Sequence, residues 1–140
     1  MPHPFGNTIT AQDIIETMSS FTSWEERYRQ VIMWGKSLPK MHDELKQEQL
    51  LVSGCESKVW LVSEFDGELW NFQIDSDARI VRGLIALVLA AFHLKTTAEI
   101  KAFDTQAYFA KLGLIDHLSP SRGHGLKAIV EQIQQLVEQS

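Results

Sequence analysis

The chain carries one cysteine, Cys55, in the polar stretch Ser53-Gly54-Cys55-Glu56-Ser57-Lys58. A single thiol narrows the chemistry. It cannot close a disulfide within the chain, and a reducing compartment suits it. It cannot build an Fe–S centre, which takes about three or four thiolates, nor a structural zinc site made of several cysteines. What remains is a thiol that acts alone, as nucleophile or carrier, or one that merely packs. Gly54 admits backbone conformations that other residues resist, which suits a sharp turn. A thiol at the tip of such a turn can enter a partner's cleft. Lys58 and Arg122 are cations able to favour a thiolate, whose unperturbed pKa is about 8.5, while Glu56 opposes them. Free cysteine is also among the most buried residue types, so the residue types leave chemistry and packing both open.

The elements that must position this segment are readable from periodicity and caps. Thr10-Ala11-Gln12-Asp13 opens a helix that runs to Met18. Ser23-Trp24-Glu25-Glu26 has the form of a capping box, and the helix it opens carries Trp24, Tyr28, Val31 and Ile32 on one stripe and stops at Gly35. A further helix is expected from Asp43 to about Gln49. The pattern then changes period. Val59 to Phe65 and Glu68 to Ile74 read as strands joined at Asp66-Gly67, a hairpin signal. Val59, Leu61, Ser63 and Phe65 share one face, and Leu50-Leu51-Val52 is expected to add a short strand ahead of the cysteine.

Asp75-Ser76-Asp77 is read as the opening of a central helix from Ala78 to about His93, apolar over more than one face, as a core helix should be. Thr96-Thr97-Ala98-Glu99 is another capping box, followed by short helices ending at Gly113. Ser119-Pro120 starts the last helix, with Pro suited to its first position. There is no internal repeat, low-complexity stretch or linker. These observations predict one α+β domain over residues 1–140, a small sheet of about three antiparallel strands with helices packed against it.

The composition excludes several function classes. Net charge is −5 and the sequence pI about 5.5, with no Lys/Arg cluster, which argues against direct nucleic-acid binding. Met1 to Gly6 has neither a charged leader nor a long apolar region, and Ile80 to Phe92 is too short to span a bilayer, so a cytoplasmic protein without membrane contact is expected. The five histidines show no zinc-ligand spacing, and no metal site is expected. His124 follows Arg122 closely, but a cysteine–histidine hydrolase would also need geometry that the sequence does not supply. Trp60 and Tyr28 read as core.

Five segments together resemble the SufE family of sulfur acceptors. They are Trp24-Glu25-x-x-Tyr28, Gly35-Lys36-x-Leu38-Pro39, Gly54-Cys55-x-Ser57-x-Val59-Trp60, Asp75-Ser76-Asp77-x-x-Ile80-Val81-x-Gly83-Leu84 and Leu118-Ser119-Pro120-Ser121-Arg122-x-x-Gly125-Leu126. They occur in order and span nearly the whole chain. The leader His3-Pro4-Phe5-Gly6, followed by Thr8-x-Thr10, looks most like the CsdE branch of that family.

The resemblance implies a fold similar to that of the Fe–S scaffold IscU, with a small curved sheet. It implies that Cys55 takes the terminal sulfur of a persulfide held on a pyridoxal-phosphate-dependent cysteine desulfurase and stimulates that enzyme. The sulfur then passes to Fe–S cluster assembly or to a tRNA-modifying dehydratase acting on a threonylcarbamoyl adenosine. No cofactor of the chain's own is implied, because the pyridoxal phosphate belongs to the desulfurase. Nor is the chain implied to be an enzyme in the strict sense. Gly54, Ser57, Asp77 and Arg122 match the family's motifs. The match implies that Gly54 and Ser57 support the cysteine loop or contact the partner, that Asp77 fixes the loop's surroundings without moving protons, and that Arg122 contacts the partner or supports the loop. Two rivals are a non-covalent activator of the desulfurase, for which Cys55→Ser would keep full stimulation, and a cysteine-dependent hydrolase or transferase, which would turn over substrate with no desulfurase present.

Overall fold

Helix α3, Arg79–Phe92, is buried along eleven of its fourteen residues, so it has almost no solvent face and the other elements pack around it. A computed structural model describes residues 3–52, 57–114 and 117–139. In chain order the elements are α1 (Ala11–Ser19), α2 (Trp24–Lys36), β1 (Val59–Phe65), β2 (Trp70–Ser76), α3, α4 (Thr97–Ala102), α5 (Thr105–Leu112) and α6 (Pro120–Glu138). The fold is α+β, with helices against a small antiparallel sheet.

The two strands pair from Val59↔Ser76 to Phe65↔Trp70. Val59, Leu61, Phe72 and Ile74 lie on the face that joins the core around α3. The opposite face is covered only at one end. There Trp60 and its register partner Asp75 are buried, whereas Glu64 and Asn71 at the far end are exposed. The cover is the segment between α2 and β1, which places Met41 and Lys46 over that end.

Several expectations change in detail. Among the described residues the sheet has two strands. Where a third was expected, Leu51 makes a single antiparallel bridge to Trp60. The hairpin turn spans residues 66–69, because Asp66 Oδ1 accepts the N–H groups of Glu68 and Leu69 at 2.9 and 2.8 Å and Gly67 takes φ +98°. Strand β2 therefore begins at Trp70 and runs through Asp75 and Ser76, which belong to the strand and not to the start of α3.

The helix expected at 43–49 is two short 3₁₀ turns, Asp43–Leu45 and Glu48–Leu50. Neither has a buried residue to fasten it to the core, so nothing offsets the cost of nucleating an α-helix there. Helix α2 does not stop at Gly35 but continues to Lys36. Gly35 instead lets α2 approach α3, for a Cβ there would lie 2.7 Å from the backbone nitrogen of Gly83.

The caps follow the residue types. Thr10 and Thr96 form reciprocal capping boxes with Asp13 and Glu99. Ser23 makes half of its box: its Oγ accepts the Glu26 N–H at 3.2 Å, and the Glu26 carboxylate accepts from the Ser23 hydroxyl at 3.0 Å. Ser119 caps α6, with Pro120 at its first turn. Trp24 and Tyr28 are half-buried at the margin of the core, and Trp24 stacks on His117. No helix of the described residues is long and apolar enough to cross a membrane.

Candidate functional site

Cys55 and Gly54 lie outside the described residues, but both stems of their loop are described. On the leading side, Leu51 bridges Trp60 and the Val52 N–H donates to the Val59 carbonyl at 2.8 Å. On the trailing side, half-buried Ser57 forms a bend. The Lys58 N–H donates to Asp77 Oδ1 at 3.2 Å, and the Asp77 N–H donates to the Lys58 carbonyl at 3.4 Å. These two bonds lie just beyond the last ladder pair, Val59↔Ser76. The loop carrying the cysteine is closed at its base by backbone hydrogen bonds on both sides.

Asp77 is exposed, and its carboxylate reaches across to a strand backbone instead of capping α3. Just ahead of α3, which has no side-chain cap, Ser76 Oγ accepts the Ala78 N–H at 3.2 Å. This division of labour follows from the strand running further than its sequence suggests. Asp75, Ser76 and Asp77 sit where β2 hands over to α3 and point in different directions.

Asp75 was not singled out by its residue type, yet it is 1% exposed and the most heavily engaged side chain near the loop. Its Oδ1 pairs with the Arg82 guanidinium and accepts the Ser76 N–H at 2.8 Å. Its Oδ2 accepts the Met41 N–H at 2.9 Å and lies 3.8 Å from Lys46 Nζ. Arg82 also donates to the Leu38 carbonyl. Lys46 Nζ stands 5.2 Å from the centre of the Trp60 ring, within cation–π range. One signal of this cluster was visible in the sequence: Arg82 is the sole charge in the apolar run Ile80 to Phe92.

Arg122 lies in the first turn of α6, its N–H donates to Ser119 Oγ at 3.4 Å, and its side chain is exposed. Among the described residues no contact joins it to the stems of the cysteine loop. The structure thus brings Asp77 and Lys58 to the loop's base, keeps Ser57 beside it, and leaves Arg122 on the surface. His124 lines a groove of about 830 Å³ between α5 and α6, with Phe109, Leu118 and Val130. No group of three or more potential metal-ligating side chains occurs among the described residues.

A helical shell packs on a small hairpin, and hydrogen bonds tie the residues on either side of the segment that contains the single cysteine. The chain belongs to the SufE family, whose Fe-S metabolism associated domain matches residues 12–137. It is 48% identical over 134 residues to the sulfur acceptor protein CsdE of Escherichia coli K12, covering 94% of this chain and 90% of that protein. It is 42% identical over 126 residues to an uncharacterized SufE-like protein of Rhizobium etli, covering 87% and 85% of the two chains. The fold matches the solution structure of a hypothetical protein from Thermus thermophilus with a TM-score of 0.75, covering 99% of this chain and 97% of that one at 17% identity.

Proposed function

We propose that this chain is a sulfur acceptor that receives persulfide sulfur from a cysteine desulfurase on Cys55 and passes it on. The observation that carries the reading is the chain's membership of the SufE family, and Cys55 is the chain's single thiol. The similarity to the sulfur acceptor CsdE over nearly the full length of both chains supports it further.

The chemistry needs only one thiol. The Cys55 thiolate attacks the terminal sulfur of the donor's persulfide. A new S–S bond forms on Cys55, the donor's S–S bond breaks, and the electron pair leaves on the donor cysteine as its thiolate. Two-electron oxidation of a cysteine is not required, because the sulfur arrives already at the persulfide level. A second exchange of the same kind releases it to a downstream thiol. The chain itself holds no cofactor in this scheme; pyridoxal phosphate works in the desulfurase. The receiving step is Fe–S cluster assembly or a tRNA-modifying dehydratase, in the cytoplasm. Contact with the donor is transient, since a carrier must leave it, and a modest interface suits that role.

Intact mass after incubation with an active cysteine desulfurase and cysteine tests the reading. Wild type should gain about one sulfur atom (~32 Da), lost on reduction, and Cys55→Ser should gain none. A wild-type protein that binds the desulfurase without gaining mass would be an adaptor, and the carrier reading would fall.

A further inference from the structure

We infer that Asp75 and Arg82 are positioning residues for the Cys55 thiol: their buried pair holds the segment 38–46 and the root of β1 in the arrangement that presents the cysteine loop to a persulfide donor. This rests on sulfur acceptance at Cys55.

The pair is costly to place and does more than packing requires. A buried ion pair adds little stability over apolar side chains of similar size, because both charges must leave water. Here a charge interrupts the apolar run of α3, where an aliphatic residue would continue the core. What the pair achieves is connection. The segment 38–46 has no strand or α-helix of its own, and the pair grips it at the Leu38 carbonyl, the Met41 N–H and the Lys46 ammonium.

Both stems of the cysteine loop register on this cluster. Asp75 is the cross-strand partner of Trp60. Lys46 sits between the Asp75 carboxylate and the Trp60 ring, and Trp60 in turn bridges Leu51 on the leading stem. On the trailing stem, Asp77 extends from the same strand end to hold Lys58. Moving the end of β2 therefore moves both stems together. Thiol exchange requires near-linear approach of three sulfurs, so a small misplacement of the loop falls directly on the transfer step.

The test pairs Arg82→Met with Arg82→Lys and reads two quantities at a temperature where each variant is folded. The first is the rate of Cys55 alkylation by iodoacetamide, which needs no desulfurase. The second is desulfurase turnover against acceptor concentration. Arg82→Met should alkylate faster, because its loop stems are loosened, and should lower kcat at saturating acceptor by about tenfold. Arg82→Lys, which keeps a cation opposite Asp75, should restore both rates towards wild type. A folded Arg82→Met with wild-type alkylation and kcat overturns the inference. So does a loss in both variants that only tracks their melting temperatures, which is plain destabilisation. If Arg82→Met does not fold, Lys46→Met replaces it: faster alkylation with lower kcat supports the inference, and wild-type values in both overturn it. Failure of wild type to gain sulfur would sink the carrier reading, while the alkylation rates would still report on the loop.

Discussion

His93 Nδ1 accepts the backbone N–H of Phe72 at 3.0 Å, fastening the end of α3 to the middle of β2. A backbone N–H can only donate, so Nδ1 carries no proton and His93 is neutral in the fold. The ring is 5% exposed and lies 4.2 Å from the ring of His3, whose Nε2 is 3.4 Å from the Phe72 carbonyl. Burial, and then the nearby His3 and Lys95, push the His93 pKa down from 6.5 to about 4. His3 is shifted in the same direction, chiefly by burial.

Stability should therefore fall on mild acidification. Between pH 6.5 and about 4 the unfolded chain takes up the His93 proton and the folded chain does not. The stabilisation is fully present above 6.5 and is lost as pH falls through that window, by up to about 3 kcal/mol. Urea unfolding of wild type and His93→Asn across this range checks it, since the Asn carbonyl can accept the Phe72 N–H without titrating. Parallel pH slopes in the two proteins would refute the assignment to His93.

Gly83 is a contact point between helices. A Cβ there would overlap the Val31 carbonyl oxygen and lie 2.5 Å from Val31 Cγ1. Gly83→Ala improves helix propensity by about 1 kcal/mol but overpacks the α2–α3 contact, which typically costs about 1–3 kcal/mol or more. The expected net result is a lower melting temperature. An alanine variant as stable as wild type would mean that the two helices separate at little cost.

Asp77 and Arg122 are both exposed, so their removal should barely disturb global stability, within about 0.5 kcal/mol for Arg122→Ala. Their effects should differ in kind. Asp77→Ala removes the acceptor for the Lys58 N–H beside the cysteine and should change the alkylation rate of Cys55. Arg122→Ala should leave alkylation unchanged and raise the acceptor concentration needed for half-maximal stimulation of the desulfurase. A change in alkylation on removing Arg122 would place that side chain against the loop instead of the partner.

Much of this was legible in the chain because it depends on neighbours in sequence. Caps at Thr10, Ser23, Thr96 and Ser119 act over three residues, and the hairpin alternation acts over two. The lone cysteine ruled out, by count alone, a disulfide within the chain and a cluster or multi-cysteine zinc site built by one chain. The ordered motifs carried the family. The short turns at 43–50 were harder, since their few residues have no buried face to betray their conformation.

The tertiary structure decided which polar residue does what. Asp75 and Asp77 are two positions apart and chemically alike, but one is sealed among Arg82, Lys46 and backbone amides while the other holds a strand from the surface. Likewise Gly35 reads as a helix stop and serves as a contact with Gly83. The reason is the same in each case. The acids find partners in Met41, Lys46 and Lys58, and the glycine in a second helix, so their roles exist only once distant segments have packed.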